Sequence, residues 1–174
     1  MTLSAQTVLI TGASSGIGLA CAEAFAAAGA RLLLCARRKE RLRDLTKRLE
    51  EEHGTEILAF ALDVRDRAAV EESFASMPEA WRAIDILVNN AGLSRGLEPL
   101  QEGSYSDWDE MLDTNVKGLL NVSRTLLPGM IARGGGQLIN IGSIAGHEVY
   151  PGGAVYCASK HAVDAITKGL RIDL

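Results

Sequence analysis

The stretch Thr11-Gly12-Ala13-Ser14-Ser15-Gly16-Ile17-Gly18 decides the fold prediction for this chain. It directly follows a short apolar run, Thr7–Thr11, and a segment of helical period begins inside it. Glycines at such a junction allow a tight turn, close approach of the backbone to a phosphate, and close packing of the helix on the strand. Because the unpaired N–H groups of a helix N-terminus attract anions, the sequence predicts a pyrophosphate cradle here. An ordinary glycine-rich turn is the alternative interpretation.

Farther along the chain, short apolar runs alternate with longer segments of helical period. The predicted strands are Thr7–Thr11, Arg31–Cys35, Ile57–Leu62, Ile84–Asn89 and Gln137–Ile141. The predicted helices are Ile17–Ala28, Lys39–His53, Arg67–Ser76, a long helix from Ser106 to about Arg133, and one from Tyr156 to the end. This alternation is typical of stacked βαβ units. We therefore expect an α/β fold, a Rossmann-type doubly wound parallel sheet with helices on both faces, forming one domain over residues 1–174.

Composition narrows the classes of function. With 174 residues, 47% of them apolar, the chain can bury a core without disulfide or metal staples. A net charge of -4 argues against a nucleic-acid surface. Three widely spaced cysteines without a CxxC motif favour reduced thiols and a cytoplasmic location. No apolar run suits a membrane span, and no histidine or cysteine has metal-ligand spacing, so we expect no nucleic-acid, membrane or metal partner.

The end of the second predicted strand bears on the choice of nucleotide. An acidic side chain at this place accepts hydrogen bonds from a free ribose 2′-hydroxyl. Here Ala36 is followed by Arg37 and Arg38. A guanidinium pairs with a 2′-phosphate in bidentate fashion, so NADP(H) is favoured, with Arg37 as the stronger candidate. A solvated basic start to the second helix is the alternative.

Tyr156 and Lys160 stand four residues apart, so they share one face of the last predicted helix. A tyrosine phenol acts as an acid–base group near neutral pH only if its anion is stabilised, and a neighbouring ammonium does that. This spacing alone is a weak signal. Ser143 strengthens it, because it follows the fifth predicted strand, at the sheet edge where α/β active sites gather.

Five motifs resemble, in order and spacing, those of the classical short-chain dehydrogenases/reductases. They are Thr11–Gly18, Asn89-Asn90-Ala91-Gly92, Asn115, Ser143, and Tyr156-Cys157-Ala158-Ser159-Lys160. Together they span essentially the whole chain. The resemblance implies an NADP(H)-dependent oxidoreductase that interconverts an alcohol and a carbonyl on a small molecule by hydride transfer.

The resemblance also implies a role for each catalytic residue. Tyr156 would be the general acid in reduction and the base in oxidation. Ser143 would hydrogen-bond the substrate oxygen and polarise it. Lys160 would favour the ionised phenol and bind the nicotinamide ribose hydroxyls. Asn115 would hold a water that passes protons between Lys160 and solvent.

The implied coenzyme contacts come from several strand ends. The glycine-rich turn and the second strand would contribute Gly12, Ser14, Ser15, Gly16, Ile17, Gly18, Arg37 and Arg38. Asp63, with Val64, looks like the adenine contact of the family. The stretch from Asn89 to Gly92 would line the coenzyme beside Tyr156 and Lys160 and brace the sheet. A purely structural role is the alternative for Asn89 and Asn90, and for Asn90 it is preferred.

Two loops resemble one subgroup of this family in particular. The end of the chain, by contrast, differs from the family pattern. Ile141–Gly146 and Tyr150–Tyr156 look like the NADP-dependent subgroup that acts on serine and related 3-hydroxy acids. Family members continue past the last helix into further strands, whereas this sequence ends at Leu174, so we expect the last strands of the fold to be missing. Gln137–Ile141 would then be an uncovered sheet edge.

Two hypotheses of different class remain open. In the first, the chain represents an oxidoreductase whose sequence is incomplete at the C-terminus. In the second, it is a truncated nucleotide-binding or subunit-association module without turnover. Intact Ser143, Tyr156 and Lys160 favour the first.

The last predicted helix also bears on assembly. It carries an apolar stripe at Ala158, Ala162, Ile166, Leu170 and Leu174, with further apolar residues beside it. A helix apolar over so wide an arc is buried in the core or against another subunit. Family members commonly pair through this helix and the long one, so we expect a homo-oligomer, a dimer or tetramer.

Overall fold

A five-stranded parallel sheet forms the centre of the protein, as the computed structural model, which describes residues 3, 4 and 6–174, shows. The strands are β1 Thr7–Thr11, β2 Arg31–Ala36, β3 Ile57–Ala61, β4 Ile86–Asn89 and β5 Gln137–Asn140. Their order in the sheet is β3-β2-β1-β4-β5, and every neighbouring pair is parallel. The predicted α/β fold with a doubly wound parallel sheet is confirmed.

Six α-helices connect the strands along the described chain. They are α1 Gly16–Ala27, α2 Lys39–His53, α3 Arg67–Ala75, α4 Tyr105–Leu112, α5 Leu119–Ala132 and α6 Ala154–Asp173. Short 3-10 turns lie at Glu79–Trp81, Leu100–Glu102 and Ile144–Gly146. None of the helices in this part of the protein is long and apolar enough to cross a membrane.

Apolar side chains on both faces of the sheet explain why the strand sequences are almost continuously apolar. Successive residues of a strand point to opposite faces. Val8 and Ile10 pack on the face that contains the buried leucines of α2, while Leu9 packs on the other face with Phe74 of α3. All three β1 residues are fully buried, so the helices shield both faces of the central strand.

The long helix predicted from Ser106 to Arg133 is divided in two. A π-helical segment, Asp113–Gly118, separates α4 from α5. Gly118 in this segment lies so close to the Val64 side chain that an added Cβ would sit 2.5 Å from Cγ2. Single π-helical turns inside α-helices occur frequently at functional sites. The segment also buries Asn115, one of the predicted site residues.

The apolar stripe predicted on the last helix does not enter the core of the chain. The buried residues of α6 are instead Cys157, Ser159, Lys160 and Val163. Leu174, at the end of the predicted stripe, is 63% exposed. Of the two alternatives, core burial therefore does not apply to this stripe, because the inward face of α6 carries polar residues that apolar periodicity does not detect. The alternative, contact with another subunit, stays a prediction.

The strand order creates a crevice at one edge of the sheet. From β1 the chain moves outward through β2 to β3, then returns to the other side of β1 and continues to β4 and β5. The connections at the carboxyl ends of β1 and β4 therefore run in opposite directions. Ligands of doubly wound folds bind in such a crevice.

Candidate active site

A cavity of about 480 Å³ lies at the carboxyl edge of the sheet and receives residues from the ends of all five strands. The glycine-rich turn after β1 forms one part of its wall, and Tyr156 and Lys160 of α6 form another. The predicted residues that line it are Gly12, Ser14, Ser15, Gly16, Ile17, Arg37, Arg38, Asp63, Val64, Ala91, Gly92, Tyr156 and Lys160. The fold thus gathers into one cavity residues that lie up to 148 positions apart, from Gly12 to Lys160.

Three glycines shape the turn after β1, each for its own reason. Gly12 has a φ of 66°, and a Cβ there would lie 2.9 Å from the Cα of Ala91. Gly18 is helical, and a Cβ on it would lie 2.6 Å from the carbonyl oxygen of Gly12. Gly16 has a φ of 57°, yet nothing lies within 4 Å of its ideal Cβ position. The first two permit close packing, whereas Gly16 keeps open space at the cavity wall.

Thr11 and Asn90 join the glycine-rich turn to the loop after β4. The main-chain N–H groups of Asn90 and Ala91 both donate to Thr11 Oγ1 at 3.0 Å. The side-chain amide of Asn90 donates to the carbonyl oxygens of Thr11 at 2.9 Å and Gly12 at 3.3 Å. Asn90 therefore holds together the two loops that diverge at the crevice, which matches the structural role preferred for it.

The two arginines after β2 lie in different surroundings. Arg38 donates to Ser14 Oγ at 3.0 Å and to Ser15 Oγ at 2.6 Å, both in the glycine-rich turn. Arg37 donates from Nη1 to Glu110 Oε1 at 3.2 Å. Both side chains line the cavity, so it has a cationic rim at the end of β2.

Asp63, after β3, lines the cavity with a carboxylate that is already bound to Arg65. Arg65 Nη2 donates to Asp63 Oδ2 at 2.6 Å, and Nε lies 3.0 Å from both oxygens. These hydrogen bonds hold the pKa of the Asp63 carboxyl below its ordinary value. An ionised carboxylate accepts hydrogen bonds but donates none, so Asp63 offers its remaining lone pairs to a donor in the cavity.

Lys160 and Tyr156 share one wall of the cavity. The Lys160 ammonium is buried and donates to the main-chain oxygen of Ile141 at 2.8 Å. Burial lowers the pKa of this ammonium, because removal from water disfavours the charged form. Tyr156 also borders a second, smaller cavity that includes Arg95, Trp108 and other residues. Tyr156 therefore contributes to the walls of both cavities.

Four predicted site residues do not line the large cavity: Gly18, Asn89, Asn115 and Ser143. Asn89 is buried and donates to Ser123 Oγ at 2.9 Å and to Asn140 Oδ1 at 3.0 Å. It therefore braces β4 against β5 and α5, and Asn90 occupies the lining position instead. Ser143 caps the 3-10 turn Ile144–Gly146, with its Oγ accepting from the N–H of Ala145 at 3.1 Å.

Asn115 connects two elements that flank the site. Its Nδ2 donates to the carbonyl oxygen of Leu93 at 2.8 Å and to Ser159 Oγ at 3.0 Å. Its Oδ1 accepts from the N–H of Leu93 at 2.8 Å. Ser159 Oγ in turn donates to the carbonyl oxygen of Tyr156 at 2.7 Å. The side chain thus links the loop after β4 to the first turns of α6.

Sequence reasoning missed several residues of the cavity wall. They are Leu62, Asn90, Leu93, Ser94, Thr114, Ile141 and Gly142, along with Ala36. Leu62, Asn90 and Ile141 directly follow a strand, so the rule that loops at carboxyl ends line the crevice could have found these three. Across residues 3, 4 and 6–174 no group of three or more His, Cys, Asp or Glu residues could hold a metal ion.

Comparison with known proteins adds the family to this geometry. Residues 6–174 match the short chain dehydrogenase family. The chain belongs to that family. The predicted membership is therefore confirmed, and it accounts for the joint presence of the glycine-rich turn, the Asn-Ala-Gly loop and the Tyr156–Lys160 pair in one sequence.

Both the curated relatives and the solved structures that this family member resembles include dehydrogenases. An NADP-dependent 3-hydroxy acid dehydrogenase of Salmonella typhi is 49% identical over 167 residues, which are 96% of this chain. The chain spans 66% of that relative's length. A crystal structure of serine dehydrogenase from Escherichia coli is 47% identical with a TM-score of 0.91, covering 97% of this chain and 76% of that one.

The closed form of serine dehydrogenase complexed with NADP+ is a further structural relative of this family member. It has a TM-score of 0.91 at 47% identity, and the match covers 97% of this chain and 66% of that one.

Proposed function

We propose that this protein is an NADP(H)-dependent oxidoreductase that interconverts an alcohol and a carbonyl on a small molecule. One observation carries the proposal. Tyr156 and Lys160 line the same cavity as the glycine-rich turn and the two arginines after β2. An acid–base pair is thereby joined to a site with the shape and charge for a dinucleotide.

The residues present fit the coenzyme. Gly16 leaves open space at the N-terminus of α1, where main-chain N–H groups favour a pyrophosphate. Arg37 and Arg38 line the cavity after β2, where an acidic residue would favour the free hydroxyl of NAD(H). Two guanidinium groups favour the 2′-phosphate of NADP(H). The names of the two relatives that mention NADP support the same choice.

Bound coenzyme supplies or accepts the hydride. The phenol of Tyr156 gives a proton to the substrate oxygen in reduction and takes it back in oxidation. Lys160 lies one helical turn away on the same face of α6. Its ammonium is buried at the cavity wall, where the low dielectric strengthens its attraction for a phenolate. The same ammonium is available to ribose hydroxyls, because its hydrogen bond to Ile141 occupies one of three N–H donors.

Ser143 and Asn115 complete the proposed machinery. Ser143 Oγ accepts a hydrogen bond from Ala145 N, so its hydroxyl hydrogen is free to donate to a substrate oxygen. We assign Asn115 to the site as the residue that joins Leu93 to α6 and so steadies the helix that carries Tyr156 and Lys160. A water between Lys160 and solvent, held at this position, would pass protons to the site.

Serine or another 3-hydroxy acid is the proposed substrate class. The support is the likeness to a 3-hydroxy acid dehydrogenase and to serine dehydrogenase, each at nearly half identity. A homo-oligomer is proposed too, because α6 ends in exposed apolar residues, among them Ile172 and Leu174. Light scattering that showed only monomers at micromolar concentration would contradict the proposed homo-oligomer.

Calorimetric titration with NADPH and, separately, NADH tests the coenzyme. We expect clear preference for NADPH in the 174-residue chain. The reaction is then tested with a panel of 3-hydroxy acids, L-serine, sugars and steroids, and turnover is detected as NADPH formation. Tyr156→Phe is the matched control, since it removes only the hydroxyl and should abolish turnover without loss of NADPH binding. NADPH binding without turnover of any alcohol would favour a nucleotide-binding module instead.

A further inference from the structure

Glu110 on α4 lies among three arginines. Its Oε1 is 3.2 Å from Arg37 Nη1 and 3.7 Å from Arg65 Nη1, and its Oε2 is 2.9 Å from Arg95 Nε. The arginines follow three different strands, since Arg37 comes after β2, Arg65 after β3 and Arg95 after β4. A single carboxylate therefore connects three strand ends that border the candidate site.

The Glu110 carboxylate is ionised over the physiological range. Hydrogen bonds from Arg95 and then Arg37 hold its pKa below the ordinary value. Its side chain is 19% exposed, whereas that of Arg37 is 51% exposed. Arg37 thus has one well-enclosed partner and otherwise faces open space at the cavity. A long side chain in that setting keeps many rotamers unless a fixed group restrains it.

Arg37 can bind an anion while it remains bound to Glu110. The contact uses one hydrogen of Nη1 only. A guanidinium has five N–H donors in a fixed planar arrangement, so four remain for a phosphate. Binding to Glu110 at one corner also fixes the plane of the remaining donors.

The local charge also leaves room for an anion. Asp63 pairs with Arg65, so the cluster of Arg37, Arg65, Arg95, Glu110 and Asp63 has three cations against two carboxylates. These five side chains alone carry one net positive charge, while Asp113 acts on Arg65 and Asp107 on Arg95 from outside the cluster. Arg38, which bonds to Ser14 and Ser15, adds another beside the same cavity. Arg37 and Arg38, the two guanidinium groups at the cavity wall, therefore attract a phosphate even with Glu110 ionised.

We propose that Glu110 is a positioning residue for coenzyme specificity, which holds Arg37 at the cavity rim in the orientation that receives the 2′-phosphate. The proposal rests on the proposed NADP(H) binding. Two other roles for Glu110 predict different results. If Glu110 competed with the phosphate for Arg37, its removal would strengthen NADPH binding. If Glu110 only stabilised the fold, its removal would weaken the binding of NADPH and NADH equally.

Titrations of Glu110→Ala and Glu110→Gln with NADPH and NADH test this role. We expect Glu110→Ala to raise the Kd for NADPH by about two- to fivefold, the range for a lost half-exposed ion pair, and to leave the Kd for NADH unchanged. Glu110→Gln keeps an oxygen acceptor for Arg37 and should lie between. Asp109→Asn is the control, because it makes the same charge change at an exposed neighbour on α4 and should change neither Kd.

A double-variant cycle separates positioning from direct repulsion or unfolding. Once Arg37→Ala has removed the guanidinium, Glu110→Ala should add no further loss of NADPH affinity. Tighter NADPH binding in Glu110→Ala, equal loss for both coenzymes, unchanged NADPH affinity, or an additive loss in the double variant would each overturn the proposal. If the unchanged chain binds neither coenzyme, the proposed function fails and this role with it. If the unchanged chain does bind NADPH in preference to NADH, the proposed function stands, and any of the four results above overturns only the role of Glu110.

Discussion

Lys160 donates a hydrogen bond of 2.8 Å from Nζ to the main-chain oxygen of Ile141, the residue that follows β5. The lysine is 8% exposed, and burial lowers the pKa of its ammonium. The fold therefore holds the Lys160 cation at the cavity wall. Its hydrogen-bond acceptor is a main-chain carbonyl, so a substitution of the Ile141 side chain would leave the acceptor group itself unchanged.

The pH dependence of coenzyme binding follows from this buried ammonium. Its charge is fully present below the lowered pKa and is lost as the pH rises through that pKa, before the ordinary value of 10.5 is reached. We expect NADPH affinity to decline over this alkaline range. Lys160→Met should bind roughly ten- to a hundredfold more weakly near neutral pH, as for a lost hydrogen bond to a charged group, and should lack the decline. Calorimetric titrations at increasing pH measure both. A decline of equal size in Lys160→Met would assign the titration to another group.

Asn115 should contribute strongly to stability. Its amide makes three hydrogen bonds with the protein. Asn115→Ala removes the side-chain partner of the Leu93 N–H and carbonyl, and it removes the donor to the buried Ser159 hydroxyl, which keeps its bond to Tyr156. We expect the free energy of unfolding to fall by about 2 to 4 kcal/mol. Asn121→Ala is the control, since it removes one hydrogen bond, to the carbonyl of Val64, and should cost about 1 kcal/mol. Urea unfolding followed by circular dichroism compares them, and equal losses would contradict the argument.

Two glycines of the turn after β1 should respond differently to alanine. In Gly16→Ala the new methyl group meets no atom within 4 Å, so the strain of a positive φ, about 1 kcal/mol, is the main cost to stability. NADPH binding should nevertheless be lost, because the methyl group fills open space at the cavity wall. In Gly18→Ala the Cβ would lie 2.6 Å from a backbone oxygen, so the domain should be destabilised by more than about 3 kcal/mol. Thermal unfolding and NADPH titration measure the two effects. Retained NADPH affinity in Gly16→Ala would refute the cradle.

The three cysteines should differ in reactivity. Cys35 is fully buried, and burial raises the pKa of its thiol to about 12, so at pH near 8 only about one molecule in ten thousand carries the reactive thiolate. Cys157 is buried too, whereas Cys21 is partly exposed. We expect a colorimetric disulfide reagent to modify one thiol rapidly in the native chain and three in guanidinium. Cys21→Ser should remove the rapid phase, and its persistence would contradict this assignment.

The strands could be predicted from sequence because their residues are mostly apolar. Burial accounts for this in β1, β2 and β4, which are almost wholly buried, whereas the edge strands β3 and β5 are only partly buried. β1 has the predicted bounds, and β2, β3 and β5 begin at the predicted residues. The prediction for β4 started two residues early, at Ile84 rather than Ile86. Ile84 is buried in the core before the ladder begins, so its apolar character reflects packing rather than strand pairing.

The break in the long helix could not be predicted from its apolar period. The π-helical segment Asp113–Gly118 contains Asn115, whose side chain bonds to Leu93 and Ser159. Both partners are distant in sequence, at 22 and 44 positions. Periodicity reports which side of a helix is apolar and carries no information on such contacts.

The sequence by itself determined the alternation of strands and helices, the glycine-rich turn and the pairing of Tyr156 with Lys160. These are local, since neighbouring residues set the backbone geometry and the helical repeat sets the shared face. Only the tertiary structure decided that Arg38 lies on Ser14, that Asn89 bonds to Asn140, and that Glu110 binds Arg37, which is 73 positions away. Charges so far apart in sequence meet because parallel strands bring their carboxyl ends to one edge, and that edge forms only when the sheet is assembled.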